Sequence, residues 1–133
     1  MHDQIPKIFC FINKYEKNYI KKLQKNIAII YRNYNKILDL REINKIKKLC
    51  KLNKRKFFLS NNIKVALKLN LDGVYIPSFN KGIKINLYNK KKKFLILGSA
   101  HNIAEIKIKE QQGVQCIFLS PLFKTKKSYK FLG

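Results

Sequence analysis

A chain of 133 residues, 46% hydrophobic and 12% aromatic, is long enough for one domain with its own core and too apolar for a disordered basic tail. Its 30 Lys and Arg stand against 7 Asp and Glu, a net charge of +23, yet the lysines are scattered rather than gathered on one helix face. That scatter favours compositional drift over a nucleic-acid surface, which would be driven by phosphate-backbone attraction.

Lys7 to Asn13 is a nearly continuous apolar run, as in a strand covered on both faces. A short lysine-rich helix is predicted near 15–25, then a second strand over Ile27–Arg32. Asp39 and Glu42 supply the N-cap and N3 carboxylates of a helix whose Leu40, Ile43, Ile46 and Leu49 or Cys50 form one apolar stripe. Phe57–Ser60 is the third strand. Asn62 caps a short helix with Ile63, Ala66 and Leu67 facing inward, and Gly73–Pro77 is the fourth strand. The stretch from Ser78 to Lys93 holds no helix pattern, and its run Lys90-Lys91-Lys92-Lys93 reads as a solvated lead into strand five at 94–98. Asn102 and Glu105 start the next helix, with Glu105 and Lys109 at i,i+4 spacing. Gln115 to Ser120 is strand six.

Strands therefore start near 7, 27, 57, 73, 94 and 115, with helices or a loop between them. This alternation predicts an α/β fold with a parallel sheet and right-handed crossovers. Pattern alone leaves open a six-strand sheet or part of a (β/α)8 barrel, which needs at least about 200 residues. Ligand sites in such folds collect at the carboxyl ends of the strands.

Cys10, Cys50 and Cys116 lie far apart with no Cys-x-x-Cys pair, which argues against a cysteine metal site and suits a reducing compartment. The first residues lack the pattern of a signal peptide, and no apolar run approaches the 18 or so residues that span a bilayer. The expected location is cytoplasmic, with no membrane partner.

Strands four to six, in order and spacing, carry a resemblance. Leu71-Asp72-Gly73-Val74-Tyr75-Ile76, then Leu97-Gly98-Ser99-Ala100-His101 with the helix after it, then Gly113 to Thr125 ending Ser120-Pro121-Leu122-Phe123-Lys124-Thr125, resemble the thiamine-phosphate synthase / TenI family. Upstream, Ile30-Tyr31-Arg32 stands where the family carries Gln-Leu-Arg, and Leu59 to Leu67 where it carries an Asn-Asp strand end and helix. The resemblance implies a (β/α)8 barrel, here incomplete: one TIM-barrel-like domain over 1–133 with about six parallel strands, lacking the last two βα units. The open sheet edge this would leave invites pairing with a second copy.

The resemblance also implies a reaction. A pyrimidine-methyl diphosphate loses pyrophosphate with magnesium, and the nitrogen of a thiazole phosphate captures the cation. The implied partners are those phosphorylated small molecules, and the implied cofactor is Mg2+. Arg32, Ser99, Thr125 and Lys127 match phosphate-binding positions; Ser60, Asn61, His101 and Ser120 are further candidates. The family's two metal-binding aspartates are replaced by Asn61 and Asn80, neutral ligands for a hard cation. The family's glutamine before Arg32 is Ile30, and the lysine after it is Tyr34. Each candidate has a plainer alternative: Arg32 as a solvated strand-end cation, Ser99 as a turn residue, Thr125 as part of a basic loop, His101 as a loop-orienting group rather than a base. No catalytic residue is assigned. Other functions that stay open are a thiazole tautomerase, a phosphate-ligand-binding relic without turnover, and a basic nucleic-acid-binding module.

Overall fold

The computed structural model describes residues 5–119, and within them the strand–helix alternation read from the sequence is present. Six strands run β1 (Ile8–Ile12), β2 (Ile27–Tyr31), β3 (Phe57–Ser60), β4 (Gly73–Ile76), β5 (Leu95–Ala100) and β6 (Cys116–Leu119). Between them lie α1 (Lys17–Lys22), α2 (Leu40–Leu52), α3 (Ile63–Lys68), a 3-10 turn over Ile83–Leu87, and α4 (Ile103–Gln111). Every neighbouring pair is parallel, and the sheet order is simply β1 to β6.

The sheet is curled. Phe9 of β1 and Phe118 of β6 have ring centroids 5.0 Å apart, whereas five flat strand steps would separate them by roughly 24 Å. Alternation along the strands makes this possible. One set of side chains (Ala28, Ile30, Phe58, Tyr75, Leu95, Leu97) packs inside the curl with Phe9, Phe11, Cys116 and Phe118. The alternate set, including Ile29, Tyr31, Phe57, Leu59, Val74, Ile76 and Ile96, packs outward against helix residues such as Ile20, Ile43, Ile46 and Ala66. Two cores on opposite faces of one parallel sheet make this a TIM-barrel-like half-barrel.

Helix starts follow their caps. Asp39 accepts from the backbone N–H of Arg41 and Glu42, Asn62 from Val65, and Asn102 from Glu105. Four expectations need correction. Leu40 is exposed, so the α2 stripe starts at Ile43. Glu42 serves tertiary structure: its carboxylate accepts from the Tyr15 N–H and the Tyr31 hydroxyl, each at 2.7 Å. That hydroxyl is pushed up to about 12 by burial, then by the bond to Glu42. Strand five runs two residues beyond the expected end, which puts Ser99 and Ala100 on the sheet.

The fourth correction concerns Lys109, which does not pair with Glu105. It is fully buried, and its Nζ donates to the Asn80 carbonyl at 2.9 Å, with burial pulling its pKa down. Gln112 Nε2 donates to the same carbonyl at 2.8 Å and to that of Gly82 at 3.0 Å, so α4 clamps the loop after β4. Removing the buried ammonium still leaves that carbonyl bonded to Gln112. Lys109→Met is therefore expected to raise the thermal midpoint by about 2–5 °C, because desolvating the charge costs more than one hydrogen bond returns. A fall in midpoint by calorimetry would show that the ammonium is net stabilising.

Candidate functional site

The polar residues singled out from the sequence meet at the carboxyl ends of β2 to β5. Inward parity carries β2 from Ala28 and Ile30 to Arg32, whose N–H continues the ladder to the Ile12 carbonyl at 2.8 Å. The Arg32 guanidinium lies 3.9 Å from the centroid of the Phe11 ring. Stacking on an aromatic face holds a cation in place while leaving its N–H edge free to donate. Tyr34, two residues on, reaches across to β3, where its hydroxyl and the Ser60 hydroxyl are 2.6 Å apart. Its ring also meets Phe79 edge-on at 5.5 Å, and both rings are more than a third exposed.

Next to them Asn61 takes φ 63, the left-handed conformation that asparagine tolerates better than most residues. Its N–H bonds the Tyr75 carbonyl at 2.7 Å, and its Oδ1 accepts from Asn80 Nδ2 at 2.6 Å. Asn80 Oδ1 in turn accepts from the Gly82 N–H at 3.0 Å. On β5, Ser99 Oγ accepts from the Ser78 N–H at 3.1 Å. The inward Tyr75 phenol is raised by burial, while a bond from Ser99 and the charge of Arg32 pull the other way. The charge of Arg32 also lowers Tyr34, against a larger rise from burial.

His101 stands apart from this group. Its N–H and Nδ1 both address Glu105 Oε1, at 2.7 and 3.1 Å, orienting the start of α4. The backbone bond from His101 is the main reason that the Glu105 carboxyl lies below its usual range. The structure thus brings together Arg32, Ser60, Asn61, Asn80 and Ser99, and gives His101 a helix-start role. Ser120, Thr125 and Lys127 lie outside the described residues.

Sequence reasoning missed Tyr75, Phe79, Lys109 and Gln112. The inward parity of Tyr75 with Gly73 was available as a signal, but contacts between a loop and a helix more than twenty residues apart were not.

A groove of about 450 Å³ opens beside Arg32 and Tyr34, bounded by Phe11, Asn33 and the start of α1 near Tyr19. A larger cavity of about 620 Å³ lies elsewhere, at the amino ends of β3 to β5, away from the polar cluster.

The residues present do not fit a protein-held magnesium ion. Mg2+ demands hard, preferably anionic oxygens. Here the two positions that the resemblance assigns to metal are neutral amides bonded to each other. Among the described residues no group of three or more His, Cys, Asp or Glu could hold a metal ion. Asn61→Asp with Asn80→Asp keeps the left-handed residue tolerable and is expected to raise magnesium affinity at least about tenfold in a calorimetric titration. No gain would mean that the two side chains do not converge on a shared point.

A sequential parallel sheet curled on an apolar interior, with a cation and hydroxyls at its carboxyl ends, defines a (β/α)-barrel type of protein. The family model described as "Thiamine monophosphate synthase" (TMP-TENI) matches residues 17–130, so the chain belongs to that family. It is also similar to a protein of Aquifex aeolicus (strain VF5) named "Putative thiamine-phosphate synthase 2", with 28% identity over 134 residues, covering 92% of this chain and 70% of the other. Among the described residues no helix is long and apolar enough to cross a membrane.

Proposed function

We propose that this protein acts in thiamine biosynthesis on the two substrates of thiamine-phosphate synthase, a pyrimidine-methyl diphosphate and a thiazole phosphate. The observation that carries the reading is the convergence of Arg32, Ser60 and Ser99 on the carboxyl face of a family-type half-barrel. In the reaction the bond between the pyrimidine methylene carbon and the diphosphate oxygen breaks, and its electron pair leaves with pyrophosphate. The thiazole nitrogen then forms the new carbon–nitrogen bond. Negative charge develops on the leaving group, and Arg32, preorganised on the Phe11 ring, is the cation placed to meet it. Hydroxyls of Ser60 and Ser99 supply further donors.

The Asn61–Asn80 amide pair favours a second reading, in which the same face holds a phosphorylated ligand without turnover. The deciding experiment is thiamine phosphate formation from both substrates in magnesium buffer, with a sample that melts cooperatively. Product above the no-protein control supports the synthase. A folded sample that makes none but binds thiazole phosphate in a titration supports the second reading, and one that does neither removes both.

A further inference from the structure

The larger cavity sits at the opposite end of the sheet from the proposed active face, where β3, β4 and β5 begin. It is walled by Phe57, Leu71 and Phe94 and rimmed by cations from two directions: Lys47, Lys51, Lys54 and Lys56 from α2 and the turn after it, Lys91 and Lys93 from the loop before β5. Nearly half of the residues lining it are cationic, against 30 in 133 over the chain, so composition alone does not account for the concentration. Asp72 is the one acid among the described residues of the lining, and its Oδ2 is already engaged by the Phe57 N–H at 2.9 Å.

A plainer role for these lysines would be to answer the carbonyls at the end of α2. The carbonyls of Leu49, Cys50 and Lys51 are satisfied without them. Leu49 O accepts from the N–H and the side chain of Asn53, Cys50 O from the Arg55 N–H, and Lys51 O from the Lys54 N–H. A helix end also carries only about half a negative charge.

Arg55 adds a second observation at the same place. It is 6% exposed, lines the cavity, and spends Nη1 and Nη2 on the carbonyls of Gln24, Ile27 and Leu23 at 2.9, 2.8 and 3.1 Å. Its Nε has no partner among the described residues. The guanidinium is thus fixed beneath the lysine rim, and among the described residues no carboxylate is bonded to it.

We propose that this cavity is a second anion site, taking a compact ligand with several adjacent phosphates. About 620 Å³ is the size of an ordinary small-molecule site. A single phosphate would leave most of the cations unmatched, while the adjacent phosphates of a triphosphate carry enough negative charge to answer cations from both the α2 side and the Lys91–Lys93 side. Among the described residues the site shares none with the Arg32 face, and it stands whether or not the proposed reaction occurs.

Inorganic tripolyphosphate is the probe, titrated calorimetrically into the whole protein at about 0.15 M salt, where charges beyond about 8 Å are screened. Lys54→Gln, Lys56→Gln and Lys93→Gln together are expected to weaken binding at least about tenfold. Lys17→Gln, Lys84→Gln and Lys107→Gln remove the same charge from other exposed positions and are expected to change it less than about twofold. Equal losses in both triple variants would assign binding to the overall field and overturn the site. A single-stranded oligonucleotide that displaces tripolyphosphate at equal phosphate concentration would assign the groove to a nucleic-acid backbone and overturn the compact ligand. Saturation at one equivalent that resists such displacement supports it.

Discussion

Replacing Gly73 by alanine is expected to lower the thermal midpoint by about 10 °C or more. Gly73 opens β4 and is registered against Phe58 on one side and Leu95 on the other. A Cβ built there overlaps the Leu95 carbonyl oxygen and comes within 2.7 Å of Phe58 Cε2 and 2.8 Å of Cδ2. The Phe58 ring cannot yield, since it is fully buried in the interior with Phe9 against it at 5.9 Å. Relief would require separating β4 from β5, in the middle of the sheet. Overpacking in cores costs about 1–3 kcal/mol, and more where backbone itself is struck. Gly82→Ala is the control: among the described residues its Cβ would meet only Asn80 Oδ1, at 3.5 Å, and the midpoint should stay within about 2 °C. If calorimetry shows the same midpoint for Gly73→Ala as for the control, the close β4–β5 approach is wrong.

Arg32→Ala is expected to lower kcat for thiamine phosphate formation by about 10²–10³, the range for removing one preorganised group from developing charge. The guanidinium is half-buried and rests on Phe11, and among the described residues no carboxylate pairs with it, so its removal orphans no acid there and the fold should survive. Arg32→Lys separates charge from geometry. A lysine keeps the charge but loses the planar stack and the forked donors, and should recover only part of the rate. Alanine activity within threefold of wild type would remove Arg32 from the reaction. If neither protein turns over, thiazole phosphate affinity gives the readout for the binding reading, with a fall of at least about tenfold for Arg32→Ala.

Much of the architecture was legible because its signals are local. Apolar runs such as Phe57–Ser60 and Gly73–Ile76, punctuated by Asn62, proline and Asn102, give the strand–helix alternation without any knowledge of neighbours. The helix caps at Asp39, Asn62 and Asn102 were equally plain, since a capping side chain bonds a backbone group two or three residues away. Parallel pairing then follows from the length of the connections.

What the chain could not declare in one dimension is which polar groups are already spoken for. Glu42 reads as a helix-start carboxylate, and only the fold brings Tyr15 and Tyr31 to it. Lys109 reads as a solvated partner of Glu105, and only the packing of α4 on β5 removes it from water and turns it to Asn80. Asn61 and Asn80 could be named as neutral replacements from sequence, but their mutual hydrogen bond is a property of two loops meeting. The same holds for the amino-end cavity. Its lysines are scattered along the sequence, and the curl of a parallel sheet gathers its strand starts, with the cations beside them, at one end. Local propensity and periodicity determine the elements; the long-range contacts that decide burial and charge pairing exist only after those elements have packed.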